Sequence, residues 1–382
     1  MDHKYMNCTR CELCGTAALI YSQPFIEYSI LFRLLAGPLA VMGLTILSAA
    51  ILKSKGIHLN TKAILLTMAI AAVTCNIGIS VDALYKFFVS NVMPDDMQCD
   101  YQVFNPQYFI GIRNLQIVGS TALATTTLAL ALERTIATVF YRHYNLTVTT
   151  PFLGLVLVII QILICVTPIF YIRIPKQMYP YSPPEIHDYK SCHYFSMWQT
   201  LINIISIMIF IVLWVTNKYR QKIIGESHLT VVFAKYDLFD NISCTKLMAP
   251  VVAVISIMVF SAEIIFLMFM PEYDENTVVT HQVLHEVTEY ASFAEFHLTL
   301  IPLLFIILIF VMPAISTKLR QSFLCVSHLA LCFPEQVHSS DTRSSSESSS
   351  ELYGARIHWN VAMGGLQFTP GSTLSSEEST KI

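Results

Sequence analysis

Charge is scarce in this chain. Of its 382 residues only 13% are Asp, Glu, Lys or Arg, while 54% are hydrophobic. A soluble globular domain carries roughly twice that charge, at about 25%. The net charge of −3 is too small to support a nucleic-acid partner. The first 28 residues are polar at the start (Met1-Asp2-His3-Lys4-Tyr5) and lack the apolar core of a cleavable signal peptide, so the first apolar stretch must direct insertion. No internal repeat or pair of matching Gly/Pro-broken helices marks a transporter. Neither a G-x-S-x-G run nor a converging H-x-x-x-H set with acids marks an enzyme, and no cofactor or metal is expected. His281 and His285 are four apart, with Glu286 and Glu289 nearby, but they fall in an acidic loop and read as a solvated loop helix.

What the chain has instead is long apolar runs. Seven occur, at about 29–52, 62–88, 108–132, 150–171, 195–216, 247–269 and 292–315. Crossing ~30 Å of hydrocarbon takes ~20 mostly apolar helical residues, so each run is long enough to span a bilayer. The expected fold is an all-α membrane protein, a seven-transmembrane helix bundle over 29–316. It is preceded by an outer tail (1–28) and followed by a juxtamembrane helix (317–333) and a polar tail (334–382).

Lys and Arg mark the cytoplasmic loops. They follow span one (Lys53, Lys55, Lys62), span three (Arg134, Arg142), span five (Lys218, Arg220, Lys222, Lys235, Lys246) and span seven (Lys318, Arg320). The loops after spans two and six are acidic, with Asp95, Asp96 and Asp100 in one and Glu272, Asp274 and Glu275 in the other. Arg173, Lys176 and Lys190 after span four weaken the contrast. The N-terminus is placed outside and the C-terminus inside. Asn7-Cys8-Thr9 is then an outer glycosylation candidate, whereas the sequons at Asn145 and Asn241 fall inside and are expected to stay bare.

Cysteines divide by compartment. Cys99 before span three and Cys192 before span five both lie outside, where disulfides persist, and a bridge between them would tie the outer loop to helix three. Cys8, Cys11 and Cys14 are spaced for a metal, but outside the cell a disulfide within the tail, with one cysteine left over, is the simpler reading. After span seven, Lys318 and Arg320 alternate with Leu319, Phe323, Leu324 and Val326. That pattern is an amphipathic helix against the membrane lipids, with Cys325 and Cys332 as acylation candidates.

Ionisable residues inside spans are costly and usually functional. Arg33, Asp82, Arg113, Glu263, Glu295 and His297 all fall in the outer half. Their shared depth suggests a polar cavity open to the outside that takes a small molecule; interhelical ion pairing is the competing reading for each. Along span three, Arg113, Gln116, Ser120, Ala124, Thr127, Ala131 and Arg134 recur at three- and four-residue steps, forming one stripe of polar or small side chains. The two arginines are about 31 Å apart along the axis, one hydrocarbon thickness.

Glu133-Arg134 closes span three, at the depth where hydrocarbon gives way to water. An arginine there can pair with its adjacent acid in a closed bundle and be released in an open one, a two-state contact of the kind signalling requires. Leu132-Glu133-Arg134-Thr135-Ile136-Ala137-Thr138, followed by Tyr144-Asn145, resembles the E-R-x-x-A-T…Y-E signature of nematode serpentine chemoreceptors. His58-Leu59-Asn60-Thr61-Lys62 resembles that group's H-x-N-x-K. Leu229 to Phe233 with Asp240-Asn241-Ile242, Thr245-Lys246 and Pro250 is similar to its entry into span six. The resemblance covers about residues 29–325 and is closest to the alpha and alpha-beta classes, with Asn145, Asp240 and Val232 as departures. It implies a G-protein-coupled receptor for a small extracellular chemical, in the plasma membrane and in the cilium of a sensory neuron. Glu133 and Arg134 would then couple to a heterotrimeric G protein. Span six has no C-W-x-P and span seven no N-P-x-x-Y, so the activation switches of rhodopsin-type receptors do not carry over.

The tail is rich in serine and acid, and too little apolar surface is available there to offset ordering entropy. Phosphorylation of Ser344, Ser345, Ser346, Ser348, Ser349 and Ser350 would build an anionic patch for an arrestin-like partner. A ligand-gated channel or transporter is the alternative to a receptor.

Overall fold

The computed structural model describes residues 10–54, 57–103, 110–140, 152–171, 180–181, 189–225, 232–271 and 279–327. Ten helices make up the regular structure of these residues. In chain order they are α1 (Arg10–Tyr21), α2 (Pro24–Lys53), α3 (Leu59–Asn91), α4 (Asp95–Gln102), α5 (Ile110–Val139), α6 (Phe152–Tyr171), α7 (Tyr189–Gly225), α8 (Val232–Phe269), α9 (His281–Ile315) and α10 (Thr317–Val326). Seven of them (α2, α3 and α5 to α9) are long and apolar enough to cross a membrane. Two run well past the hydrocarbon. At 37 and 38 residues, α7 and α8 are each about 55 Å long, against about 30 Å of bilayer core.

The helices divide by burial. In α5, 72% of the most apolar window is buried, against 28% in α6 and in α7. The reason is in the side chains. Helix α5 carries small residues (Gly119, Ala122, Ala124, Ala129, Ala131) that are buried and let neighbours approach. At Gly119 an added Cβ would meet the Ala71 carbonyl oxygen and the Cys75 nitrogen at 2.9 Å, so α3 and α5 pack backbone to backbone. Helices α6 and α7 instead turn Leu163, Phe170, Met208 and Trp214 outward. In water that surface would drive aggregation; in hydrocarbon it matches its solvent.

Polar side chains join the central helix to its neighbours. Gln161 on α6 donates to the Ala122 carbonyl at 2.7 Å and to the Thr126 hydroxyl at 2.6 Å. Thr127 lies 3.2 Å from Ser206 on α7.

Residues 10–21 form a helix rather than the loose outer tail expected from their polarity. Ile20 and Tyr21 of α1 are buried in a satellite core with Ile26, Val283, Val287 and Tyr290. Cys14 is thereby brought within 5.1 Å (Cα–Cα) of Cys99 on α4 and bonded to it. This corrects the expected Cys99–Cys192 bridge, and also the bridge confined to the tail: a sulfur has one such bond to give, and packing of α1 on α4 decided which. Cys11 is free and exposed. The Cys8 residue and the Cys192 side chain lie outside the described residues, as do Asn7, Asn145, Cys332 and residues 334–382.

The juxtamembrane helix is present as α10. Ser316 caps it by accepting from the Leu319 N–H at 3.3 Å, Leu319 is buried, and Arg320 is exposed. The helix packs on α2, where Lys53 donates to the Cys325 sulfur at 3.0 Å.

Candidate functional site

Two polar clusters sit at opposite ends of the bundle. The first joins α2, α3 and α9. Arg33 donates to Asp82 at 3.1 Å and to Glu295; Lys86 reaches Asp82 at 2.9 Å and Glu295 at 2.8 Å. The Tyr181 hydroxyl donates to Glu295 at 2.9 Å, and Lys86 lies over the Tyr181 ring, 4.8 Å from its centroid. Ser29 adds a hydrogen bond of 3.2 Å to the Glu295 carboxylate. Two cations and two carboxylates give no net charge. All four side chains are almost completely buried.

This corrects the water-accessible cavity expected from Arg33, Asp82 and Glu295. Alternating helix directions bring the start of α2, the end of α3 and the start of α9 to the same depth, so the charges meet one another. Lys86, four residues after Asp82 and inside the same span, is the partner that sequence reasoning passed over. Its i,i+4 spacing was the available signal.

The other polar residues expected in the outer halves lie apart from this quartet's contacts. Glu263 on α8 accepts from Ser196 on α7, and His297 on α9 shares a 3.1 Å hydrogen bond with Ser261 on α8. Gln116 on α5 is buried, and neither atom of its amide has a hydrogen-bond partner. Its side chain lies where a Cβ on Gly78 would fall, so α3 makes room for it. Ser120 back-bonds to the Ile117 carbonyl at 3.0 Å. The side chain of Arg113 lies outside the described residues. Below it, the stripe of Ala124, Thr127, Ala131 and Arg134 is buried throughout.

The second cluster closes the other end of α5. Glu133 and Arg134 are buried and paired side by side. Arg134 also donates to Thr61 on α3 at 2.8 Å and to Asn241 on α8 at 3.2 Å. Thr61 in turn donates to Glu133 at 3.0 Å, and Asn241 donates to the Thr138 hydroxyl at 2.8 Å. Arg220 on α7 reaches the Thr138 carbonyl at 2.7 Å. One pair of adjacent residues thus engages α3 and α8, and Thr138, one turn on, engages α7.

The stretch His58 to Lys62 supports this cluster residue by residue. The His58 imidazole caps α3, accepting from the Asn60 N–H at 3.4 Å. Asn60 accepts from the Gly154 N–H at 3.0 Å, which holds the start of α6. A Cβ on Gly154 would lie 2.7 Å from the Asn60 backbone, so only glycine permits that approach. Thr61 meets Arg134, and Lys62 donates to the Leu52 carbonyl at 3.0 Å near the end of α2. The sequence offered these residues only as a motif; their contacts across helices appear with the fold.

Among the described residues no group of three or more His, Cys, Asp and Glu gathers as a metal site. His285 pairs with Glu289 at 3.8 Å on an exposed helix face, and His281 with Glu12 at 3.4 Å.

No curated protein matches the chain. A family model does, that of the serpentine type 7TM GPCR receptor class ab chemoreceptor, over residues 11–326. The match spans all seven membrane helices, both polar clusters and α10. With a seven-helix bundle and a Glu-Arg pair closing its third span, the chain belongs to the class ab chemoreceptors of the serpentine seven-transmembrane GPCR family.

Proposed function

We propose that this receptor reads a small extracellular chemical and activates a heterotrimeric G protein, with Glu133 and Arg134 as the switch. The observation that carries the reading is the hydrogen bonding of Arg134 to both Thr61 and Asn241, across α3 and α8. Displacement of α8 would break the Asn241 contact and free the guanidinium for a partner's carbonyls. The loop charges support an outer N-terminus and a cytoplasmic Arg134 end. The receptor then acts at the plasma membrane, in the cilium of a sensory neuron, and the ligand enters from the far end. Gln116, with an unpaired buried amide, is the first candidate contact, followed by Ser120, Arg113, Glu263 and His297. Arg33, Asp82 and Glu295 hold the helices instead. Asn7 carries glycan, Cys325 and Cys332 acyl chains, and the serine-rich tail, once phosphorylated, an arrestin-like partner.

The test is G-protein activation in a heterologous cell over a panel of small odorants, with Arg134→Ala beside the intact chain. Loss of the ligand response with surface expression retained supports the switch. An undiminished response in a well-expressed variant overturns it. A ligand-evoked current that needs no G protein would move the assignment to a channel.

A further inference from the structure

Away from both clusters, a cavity of about 830 Å³ opens between α7 and α8, toward the Arg134 end of the bundle. Ile207, Ile211 and Val252 give it an apolar wall, and Lys218 and Lys246, from facing helices, give it a basic mouth. Lys218 lies over Trp214, 5.1 Å from the ring centroid, and among the described residues neither lysine pairs with a carboxylate. Two lining residues are buried yet unsatisfied. Asn217 is 3% exposed with both amide atoms lacking a partner, and Ser256 is 6% exposed with a free hydroxyl. A buried polar group without a partner costs about 1–3 kcal/mol, so a complement is expected to occupy the space.

We infer that the α7–α8 cavity, with Lys218, Lys246, Asn217 and Ser256, is a binding site for an anionic glycerophospholipid. Lys246 to Ser256 is ten residues, about 15 Å along the helix, or half the hydrocarbon thickness. The site therefore has the depth of one leaflet, basic where headgroups lie and apolar where acyl chains lie. Half-exposed Ile211, Trp214 and Ile257 continue the same face toward hydrocarbon. A free phosphate would use the lysines and leave the apolar wall empty. Asn217, adjacent to Lys218 at the headgroup level, complements the ester oxygens of the glycerol region, and Ser256 marks the deep end of the slot. On the orientation proposed above, the headgroup belongs to the cytoplasmic leaflet, where anionic lipids concentrate.

The purified full-length receptor in detergent, probed by native mass spectrometry, tests the site without G protein, odorant or orientation entering the result. Phosphatidylserine is expected to remain bound and phosphatidylcholine to bind more weakly. Replacing both Lys218 and Lys246 by Gln should weaken the phosphatidylserine complex by about tenfold or more and leave phosphatidylcholine unchanged. Ala253→Trp, which fills the slot from an exposed position, should expel both lipids with thermal stability retained. Equal phosphatidylserine occupancy in all three proteins overturns the site. So does full displacement by soluble glycerophosphoserine, which would reduce it to an anion site. A dimer occupying this face in place of lipid overturns it as well.

Discussion

The two polar clusters are built from similar residues joined in different ways. At the Glu295 end, charges on three helices meet one another: Arg33 from α2, Asp82 and Lys86 from α3, Glu295 from α9. Pulling any of these helices away strands a charge in a low-dielectric interior, which is among the most costly events a fold can suffer. At the Arg134 end the two charges are neighbours on one helix, and two neutral side chains, Thr61 of α3 and Asn241 of α8, reach them. If α8 moves, Arg134 keeps its carboxylate on the same helix and loses its hydrogen bond to the neutral Asn241 amide, worth about 1 kcal/mol. One end fastens the bundle, and the other, on the function proposed above, is its latch. A receptor that must open at one end while staying assembled needs both.

Four measurements would sharpen or break that contrast. The largest effect is expected at the disulfide, which ties α1 to α4 at the Glu295 end of the bundle. Cys14→Ser and Cys99→Ser should each destabilise the receptor by about 4–5 kcal/mol, since the closed loop is long. Thermal unfolding should find both alike, with Cys192→Ser close to the intact chain; a Cys192 variant as damaged as Cys99→Ser would restore the pairing read from sequence.

Next comes Glu295→Gln, which leaves Arg33 and Lys86 sharing one carboxylate. A loss of about 3–5 kcal/mol in unfolding, and of surface yield with it, is expected. Arg33→Leu with Glu295→Leu should recover much of that loss, because Lys86 and Asp82 still pair; strict additivity of the two single changes would argue against a coupled quartet.

Gly154→Ala is intermediate, at about 1–3 kcal/mol, because the new methyl meets Asn60 backbone rather than a side chain that can move. Full stability would mean that α6 can shift there without cost.

The smallest change in stability, about 1 kcal/mol, is predicted for Asn241→Ala, yet it should raise basal G-protein signalling about fivefold by releasing the latch. Basal activity equal to that of the intact chain, in a variant expressed to the same level, would show that Asn241 does not hold the resting state.

Much of this was legible in the residues, and the failures have one cause. All seven spans were visible because a bilayer imposes length and composition on each helix separately. Glu133-Arg134 was visible because position along span three gives an otherwise trivial dipeptide its meaning. Helix α1 was missed because its buried apolar residues, Ile20 and Tyr21, acquire their role only once α1 packs on α2, α4 and α9. The partner of Cys99 was missed with it. Arg33, Asp82 and Glu295 were rightly placed at one depth, but depth alone does not distinguish a pocket from a closed ion cluster. Lys86 and the Tyr181 hydroxyl make that distinction.

The sequence by itself determined the number of spans, the residues at each depth, the Glu-Arg pair, the amphipathic helix after the last span and the family resemblance. Each of these is a property of local composition and period. Tertiary structure alone decided which cysteines join, which charges cancel, and that Thr61 of α3 and Asn241 of α8 meet Arg134. Those outcomes depend on which helix faces meet, and a face has no partner until the whole bundle has packed.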